Sequence, residues 1–152
     1  MSTEEIHEYQ ITLTREKDYK FTVDFGKETI PALLTDEGEE VPGGEGLGPT
    51  PAMLLAAAVG NCLAASLTFC LTKRKVELQE LKVNVRYTRE RNQDNLWRIS
   101  KIFVDLYPIA EKAEDKDIKF CLSLFKKYCI VSMSVEQGIP MEINVEGLDI
   151  KK

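Results

Sequence analysis

The run Ala52 to Leu71, AMLLAAAVGNCLAASLTFCL, carries no charge at all, and it restricts the chain more than any other segment. Thr50 and Pro51 precede it. A threonine hydroxyl can cap free backbone N–H groups, and proline loses nothing at the first helical position, so a helix starts here. Lys73, Arg74 and Lys75 follow it and suit the negative end of a helix dipole. The length approaches that of a membrane span. The run is nevertheless alanine-rich and holds Gly60, Asn61, Ser66 and Thr68, which predicts a buried central helix and no membrane partner. Such a helix needs cover on nearly every side. One short chain offers modest cover, so a twofold homodimer is expected.

The flanking patterns have a period of two. Tyr9, Ile11 and Leu13 alternate with polar residues, REKDYK reads as a turn, and Phe21, Val23 and Phe25 resume the alternation. A loop follows from Thr35 to Thr50, rich in glycine, proline and carboxylates and without a base; loops this long are often functional. Beyond the central helix, Leu81, Val83, Val85 and Tyr87 alternate, RNQDN turns the chain, and Trp97 to Leu106 forms the return strand. From Glu114 to Ser132 apolar residues recur at steps of three and four, predicting a second long helix with Cys121 and Cys129 on its apolar side. Met141, Ile143 and Val145 alternate as a closing strand. The order strand, strand, helix, strand, strand, helix, strand predicts one α+β domain over residues 1–152, with antiparallel sheets packed around the central helix.

Charge is unevenly spread. Residues 1–50 hold twelve acids and four bases, and the remainder thirteen acids and sixteen bases, with a pI of about 5.1. An acidic half and no basic stripe argue against a nucleic-acid partner. The acidic, polar N-terminus lacks the pattern of a secretory signal, so the expected location is cytoplasmic.

The chemistry is confined to few residues. His7 is the sole histidine, which weakens a cysteine or serine hydrolase. Cys62 and Cys70 are eight residues apart, as are Cys121 and Cys129, which is not the close pairing of a structural zinc site. No G-x-G-x-x-G follows a strand and no P-loop occurs. Neither metal nor cofactor is expected. Core packing is the plain reading for any of the four cysteines, and it suits Cys70 and Cys121. Cys62 follows Gly60 and Asn61, where another backbone could approach. Cys129 follows Lys126 and Lys127, whose charges would favour a thiolate.

The run GPTPAMLLAAAVGNCLA, followed some sixty residues later by KKYCIV, resembles the OsmC/Ohr family of organic hydroperoxide reductases and osmotically induced proteins, closest to its YhfA-type branch. The resemblance implies an OsmC-like intertwined homodimer. It implies that Cys62 attacks an organic hydroperoxide, that Cys129 resolves the sulfenic acid as a Cys62–Cys129 disulfide, and that an external dithiol reduces the product. The family lowers the pKa of the nucleophile with an arginine, which a glutamate at the start of the central helix orients. Here Ala52 and Met53 stand at the glutamate's place, and Glu45 is a carboxylate that could reach in from the preceding loop. Arg15, in the first hairpin turn, is the candidate arginine, and a solvated turn residue is its plain alternative. Ile130 follows the second cysteine where the family often has proline. A pocket lined by Met53, Leu54, Phe69, Phe125 and Met133 would favour bulky hydroperoxides over hydrogen peroxide. The competing readings are a non-catalytic module that binds a hydrophobic small molecule with Cys62 lining the pocket, and a structural dimer without chemistry.

Overall fold

The computed structural model describes residues 5–147. Its elements run β1 (Thr12–Lys17), β2 (Lys20–Asp24), β3 (Leu33–Thr35), α1 (Pro51–Lys73), β4 (Glu77–Arg91), β5 (Trp97–Glu111), α2 (Asp115–Tyr128) and α3 (Ile130–Gln137). The strands form a three-stranded sheet β1-β2-β3 and a two-stranded sheet β4-β5. By contact the chain divides into two compact units, one running to Ala57 with Thr88–Lys101, the other Ala58–Tyr87 with the chain from Ile102 onward. The α+β class read from the sequence is the one observed.

In the first unit β1 and β2 pair antiparallel, and their register runs into the REKDYK segment: Arg15 faces Phe21 and Lys17 faces Lys20. Asp18 takes φ 50° in the tight turn, a conformation that aspartate tolerates better than most residues. β3 adds to β2, with Phe21 opposite Thr35 and Val23 opposite Leu33. Three residues are too few to show an alternation, so this strand carries no period in the sequence.

Thr35 leads into the glycine-rich loop, and Asp36, almost wholly buried, organises it. Its Oδ1 accepts the N–H of Glu37 at 2.8 Å, and its Oδ2 accepts those of Glu45 at 3.1 Å and Leu47 at 3.2 Å. Burial by itself would push this carboxyl up; the donors from Leu47, Glu45 and Glu37, with the Lys20 ammonium, outweigh it and hold the pKa below the ordinary value. The loop folds back closely enough that a Cβ on Gly44 would meet the Gly38 carbonyl oxygen at 2.3 Å, and one on Gly48 the Leu34 oxygen at 2.2 Å.

Helix α1 begins as the sequence predicts, with Thr50 Oγ1 accepting the Met53 N–H at 3.3 Å. It ends in a Schellman motif: Lys75 lies at φ 58°, its N–H donates to the Thr72 carbonyl at 3.0 Å, and the Val76 N–H donates to Leu71 at 3.0 Å. Leu71 and Val76 are both buried, the apolar contact that accompanies this cap. α1 is long and apolar enough to cross a membrane by length and composition. In the second unit, though, its Val59, Leu63, Leu67 and Leu71 enter a core with Val76, Cys121, Phe125 and Cys129, flanked by Leu78, Leu81, Ile102, Val104 and Leu106 from β4 and β5. One face of α1 is thus a core face, whereas Met53, Leu55 and Phe69 stay exposed.

Gly60 sits where a Cβ would lie 2.4 Å from Val85 Cγ2, so a side chain of β4, not another backbone, fills the space the glycine leaves. Valine is stiff at χ1 and gives little. Gly60→Ala should therefore destabilise the fold by about 1–3 kcal/mol despite the better helix propensity of alanine, measured by urea unfolding; unchanged or raised stability would show that Val85 yields freely.

Two expectations fail. The second long helix breaks at Cys129, whose ψ of 100° is extended, and resumes as α3. Among the described residues no closing strand forms: Met141, Ile143 and Val145 lie outside any strand and are 82%, 80% and 86% exposed. Alternation there prepares a strand, but the described residues supply it no ladder.

Candidate functional site: a facing thiol pair

The break at Cys129 builds the site. Lys126 and Lys127 end α2 against its dipole, and Cys129 becomes the N-cap of α3, its Sγ accepting the Ser132 N–H at 3.4 Å. This is the geometry in which serine or aspartate normally caps a helix, with sulfur in place of oxygen. Cys62, partly exposed on α1, and fully buried Cys129 are both free thiols; Cys62 packs on the core cluster that contains Cys129, and each shifts the ionisation of the other. The structure brings these two predicted residues together.

Their ionisation is unequal. Burial pushes Cys129 up, but hydrogen bonds from the Ser132 hydroxyl, the Cys62 thiol and the backbone N–H groups of Ser132 and Val131 outweigh it, and its pKa is lowered. Those bonds, not the charges of Lys126 and Lys127, dominate the shift. Cys62 moves the other way: burial and the hydrogen bond with Cys129 raise it, and the N–H groups of Val131 and Ile130 offset this only in part. The first three N–H groups of α3 thus face the two sulfurs, a setting for one negative charge shared by the pair, with the proton on Cys62. Sequence reading missed Ser132 and the cap, because cap patterns are sought among Ser, Thr, Asp and Asn; the available signal was the C-x-x-S spacing before a short apolar run. Ser132→Ala should move the ultraviolet thiolate titration of Cys129 up, and below its midpoint lower the ionised fraction roughly fivefold, the effect of one hydrogen bond of about 1 kcal/mol. An unmoved midpoint would remove Ser132 from the site.

The other predicted residues have partners of their own. Arg15 is exposed on β1, and its Nε donates to the Asp18 carbonyl at 2.8 Å, clasping its own turn. Glu45 pairs with Lys20 at 2.7 Å, and this bond is the largest cause raising the Lys20 pKa. Phe125 is core, and Phe69 is exposed beneath the Lys73 ammonium. Cys70 and Cys121 do more than pack: a disulfide joins them, with Cα atoms 5.6 Å apart.

The fold and the site define an α+β protein with a facing pair of free thiols. Residues 43–144 match the model of the OsmC-like protein family, and the chain belongs to that family. Among curated proteins none matches the sequence. Solved structures similar to the chain include an OsmC-like protein of unknown function from Vibrio cholerae, with TM-score 0.74, 14% identity and coverage of 86% of this chain and 95% of that one. An OsmC-like protein from Mycoplasma pneumoniae gives TM-score 0.70 at 17% identity, covering 86% and 88%. An organic hydroperoxide resistance protein OsmC from Legionella pneumophila gives 0.60 at 14% identity, covering 87% and 91%. At these identities the likeness establishes the fold.

Proposed function

We propose that this chain is a cytoplasmic, thiol-dependent peroxidase for organic hydroperoxides, with Cys62 as the attacking sulfur and Cys129 as the resolving one. The observation that carries the reading is a pair of free thiols, one partly exposed and packed on the core that holds the other, with the buried one capping the start of α3. Similar folds named as organic hydroperoxide resistance proteins support it.

The chemistry follows from the proton's position. Cys129 thiolate takes the proton of Cys62, and the Cys62 sulfur attacks the outer oxygen of R–O–O–H. The O–O bond breaks, RO⁻ leaves and collects the proton now on Cys129, and Cys62 becomes a sulfenic acid. Cys129 thiolate then attacks the Cys62 sulfur and expels hydroxide. The balance is two thiols and one hydroperoxide to one disulfide, one alcohol and one water. An external dithiol restores the thiols by exchange.

A homodimer fits the apolar surface that one chain leaves open: Met53, Leu55 and Phe69 on α1, and the exposed Met141, Ile143 and Val145. In such a dimer the first hairpin of one protomer assists Cys62 of the other. Arg15 is the proposed cation, and Lys20, held by Glu45, is its neighbour in that hairpin.

The test is hydroperoxide consumption by the reduced protein with an excess of small dithiol. Saturable turnover of cumene hydroperoxide is expected, with kcat/KM about tenfold or more above that for hydrogen peroxide, and Arg15→Ala should lower it. No turnover would overturn the reading. A hydrophobic-ligand module would then be favoured, a second reading that Ala52 and Met53, in place of the family's carboxylate, already suggest.

A further inference from the structure

The peroxidase chemistry uses two of the four cysteines, and the other two are not placed at random. Along α1 and back along α2 the contacts descend in step. Cys62 meets Cys129; eight residues further down α1 and eight back up the chain, Cys70 meets Cys121; four residues further in each direction, Arg74 meets Asp117 at 3.3 Å. The Arg74 guanidinium also lies 3.7 Å from the centroid of the Phe120 ring. Four and eight residues are close to one and two helical turns, so these contacts are rungs of one antiparallel helix pair with a constant register. The side chains between the cysteine rungs, Leu63, Leu67 and Phe125, are core. A bond at Cys70–Cys121 therefore fixes how far α1 can slide along α2, and with it how Cys62 faces Cys129.

We propose that Cys70–Cys121 is a second, reversible redox site of this chain, a staple between α1 and α2 that fixes the register at which Cys62 meets Cys129. Disulfides in a reducing compartment are rare and generally transient or redox-sensing, so the pair is set by the ambient thiol–disulfide balance. The step is an exchange with a low-molecular-weight disulfide. Cys70, partly exposed, attacks as thiolate, forms a mixed disulfide and expels one small thiolate. Buried Cys121 then attacks the Cys70 sulfur, closing the protein bond and releasing the second small thiol. Two protein thiols are oxidised and one small disulfide is reduced to two thiols. The effect on Cys62 and Cys129 rests on the peroxidase reading; the existence of the second site does not.

The test uses the full chain carrying Cys62→Ser, reduced and then treated with oxidised glutathione. Remaining thiols are alkylated, and the disulfides are mapped. No lysine or arginine lies between Lys27 and Lys73, so trypsin leaves positions 62 and 70 on one peptide, and the substitution makes the assignment unambiguous. A Cys70–Cys121 linkage is expected, together with a Tm raised by about 10 °C that falls back on adding a dithiol, the size a closed loop of this length gives. The same treatment of a chain also carrying Cys70→Ala should raise nothing. Free thiols at both Cys70 and Cys121 after treatment would overturn the site, and a linkage without a Tm rise would overturn the staple. Should Cys62→Ser fail to fold, chymotryptic mapping of the unsubstituted chain, cutting at Leu67 or Phe69, gives the same answer. In the Cys70→Ala, Cys121→Ala double variant, hydroperoxide-driven closure of Cys62–Cys129 should slow severalfold; an unchanged rate would overturn the link between the sites. Absence of all hydroperoxide turnover alongside an intact Cys70–Cys121 linkage would count against the peroxidase reading alone.

Discussion

With Cys62 as the proposed nucleophile, Cys62→Ser is expected to lower steady hydroperoxide turnover by at least about a thousandfold, because a serine hydroxyl is neither ionised nor comparably nucleophilic near neutral pH. With a limiting reductant that exchanges only with disulfides, Cys129→Ser is expected to lower it by a similar factor with a different signature. The Cys62 sulfur still has a peroxide to attack, but without added thiol nothing resolves the sulfenic acid, so it gains further oxygen and stops. Intact-mass measurements should show one and then two added oxygen atoms on Cys129→Ser and none on Cys62→Ser. The Cys129 variant also loses the thiolate that takes the Cys62 proton, so its first turnover is slow and rises with pH toward the raised Cys62 value. Steady turnover in Cys62→Ser, or an absence of added oxygen on Cys129→Ser treated with peroxide alone, would end the two-cysteine account. The two sulfurs oppose each other in stability as well. The lowered Cys129 pKa favours the fold above its unfolded value and loses that contribution as pH falls through the folded one. The raised Cys62 pKa acts below its unfolded value and fades as pH rises through the folded one.

Asp36→Asn is expected to be the most damaging single change in the first unit, lowering Tm by on the order of 10 °C. The carboxylate accepts three backbone N–H groups and faces Lys20 from a buried position; an amide replaces one acceptor oxygen with a donor and turns it toward N–H groups that cannot accept. The pH dependence identifies the cause. A carboxyl held below its ordinary value stabilises the fold above the unfolded pKa, and this contribution disappears as pH falls through the lower folded value. The gap in Tm between the natural chain and Asp36→Asn should therefore be widest near neutral pH and shrink in acid. A gap that stays constant into acid would assign the loss to shape instead of charge.

Periodicity and capping made the architecture legible. Thr50 and Pro51 mark the start of α1, Lys73 to Lys75 mark its end, and the alternation around Val23 and Val85 marks two sheets. The missed features depend on contacts distant in sequence. β3 is too short to show a period and exists because β2 offers an edge. Asp36 reads as one carboxylate among many in an acidic loop, and only the folded loop turns three N–H groups onto it. The break at Cys129 follows α2's terminal lysines, a legible stop, but the residues beyond keep a helical pattern and hide it. The facing thiols were placed by the resemblance of GNCLA and KKYCIV to a family, and the ionisation order came from the α3 cap. The equal spacing of the two cysteine pairs was visible from the start, yet it indicates a second bond only once α1 and α2 are known to run antiparallel.

The most direct measurement is disulfide mapping of the reduced, unsubstituted protein before and after one equivalent of cumene hydroperoxide, with free thiols alkylated and chymotrypsin used to part Cys62 from Cys70. The account predicts a Cys62–Cys129 linkage that appears only with peroxide and vanishes with a dithiol. Unoxidised Cys62 and Cys129 after that treatment would contradict it.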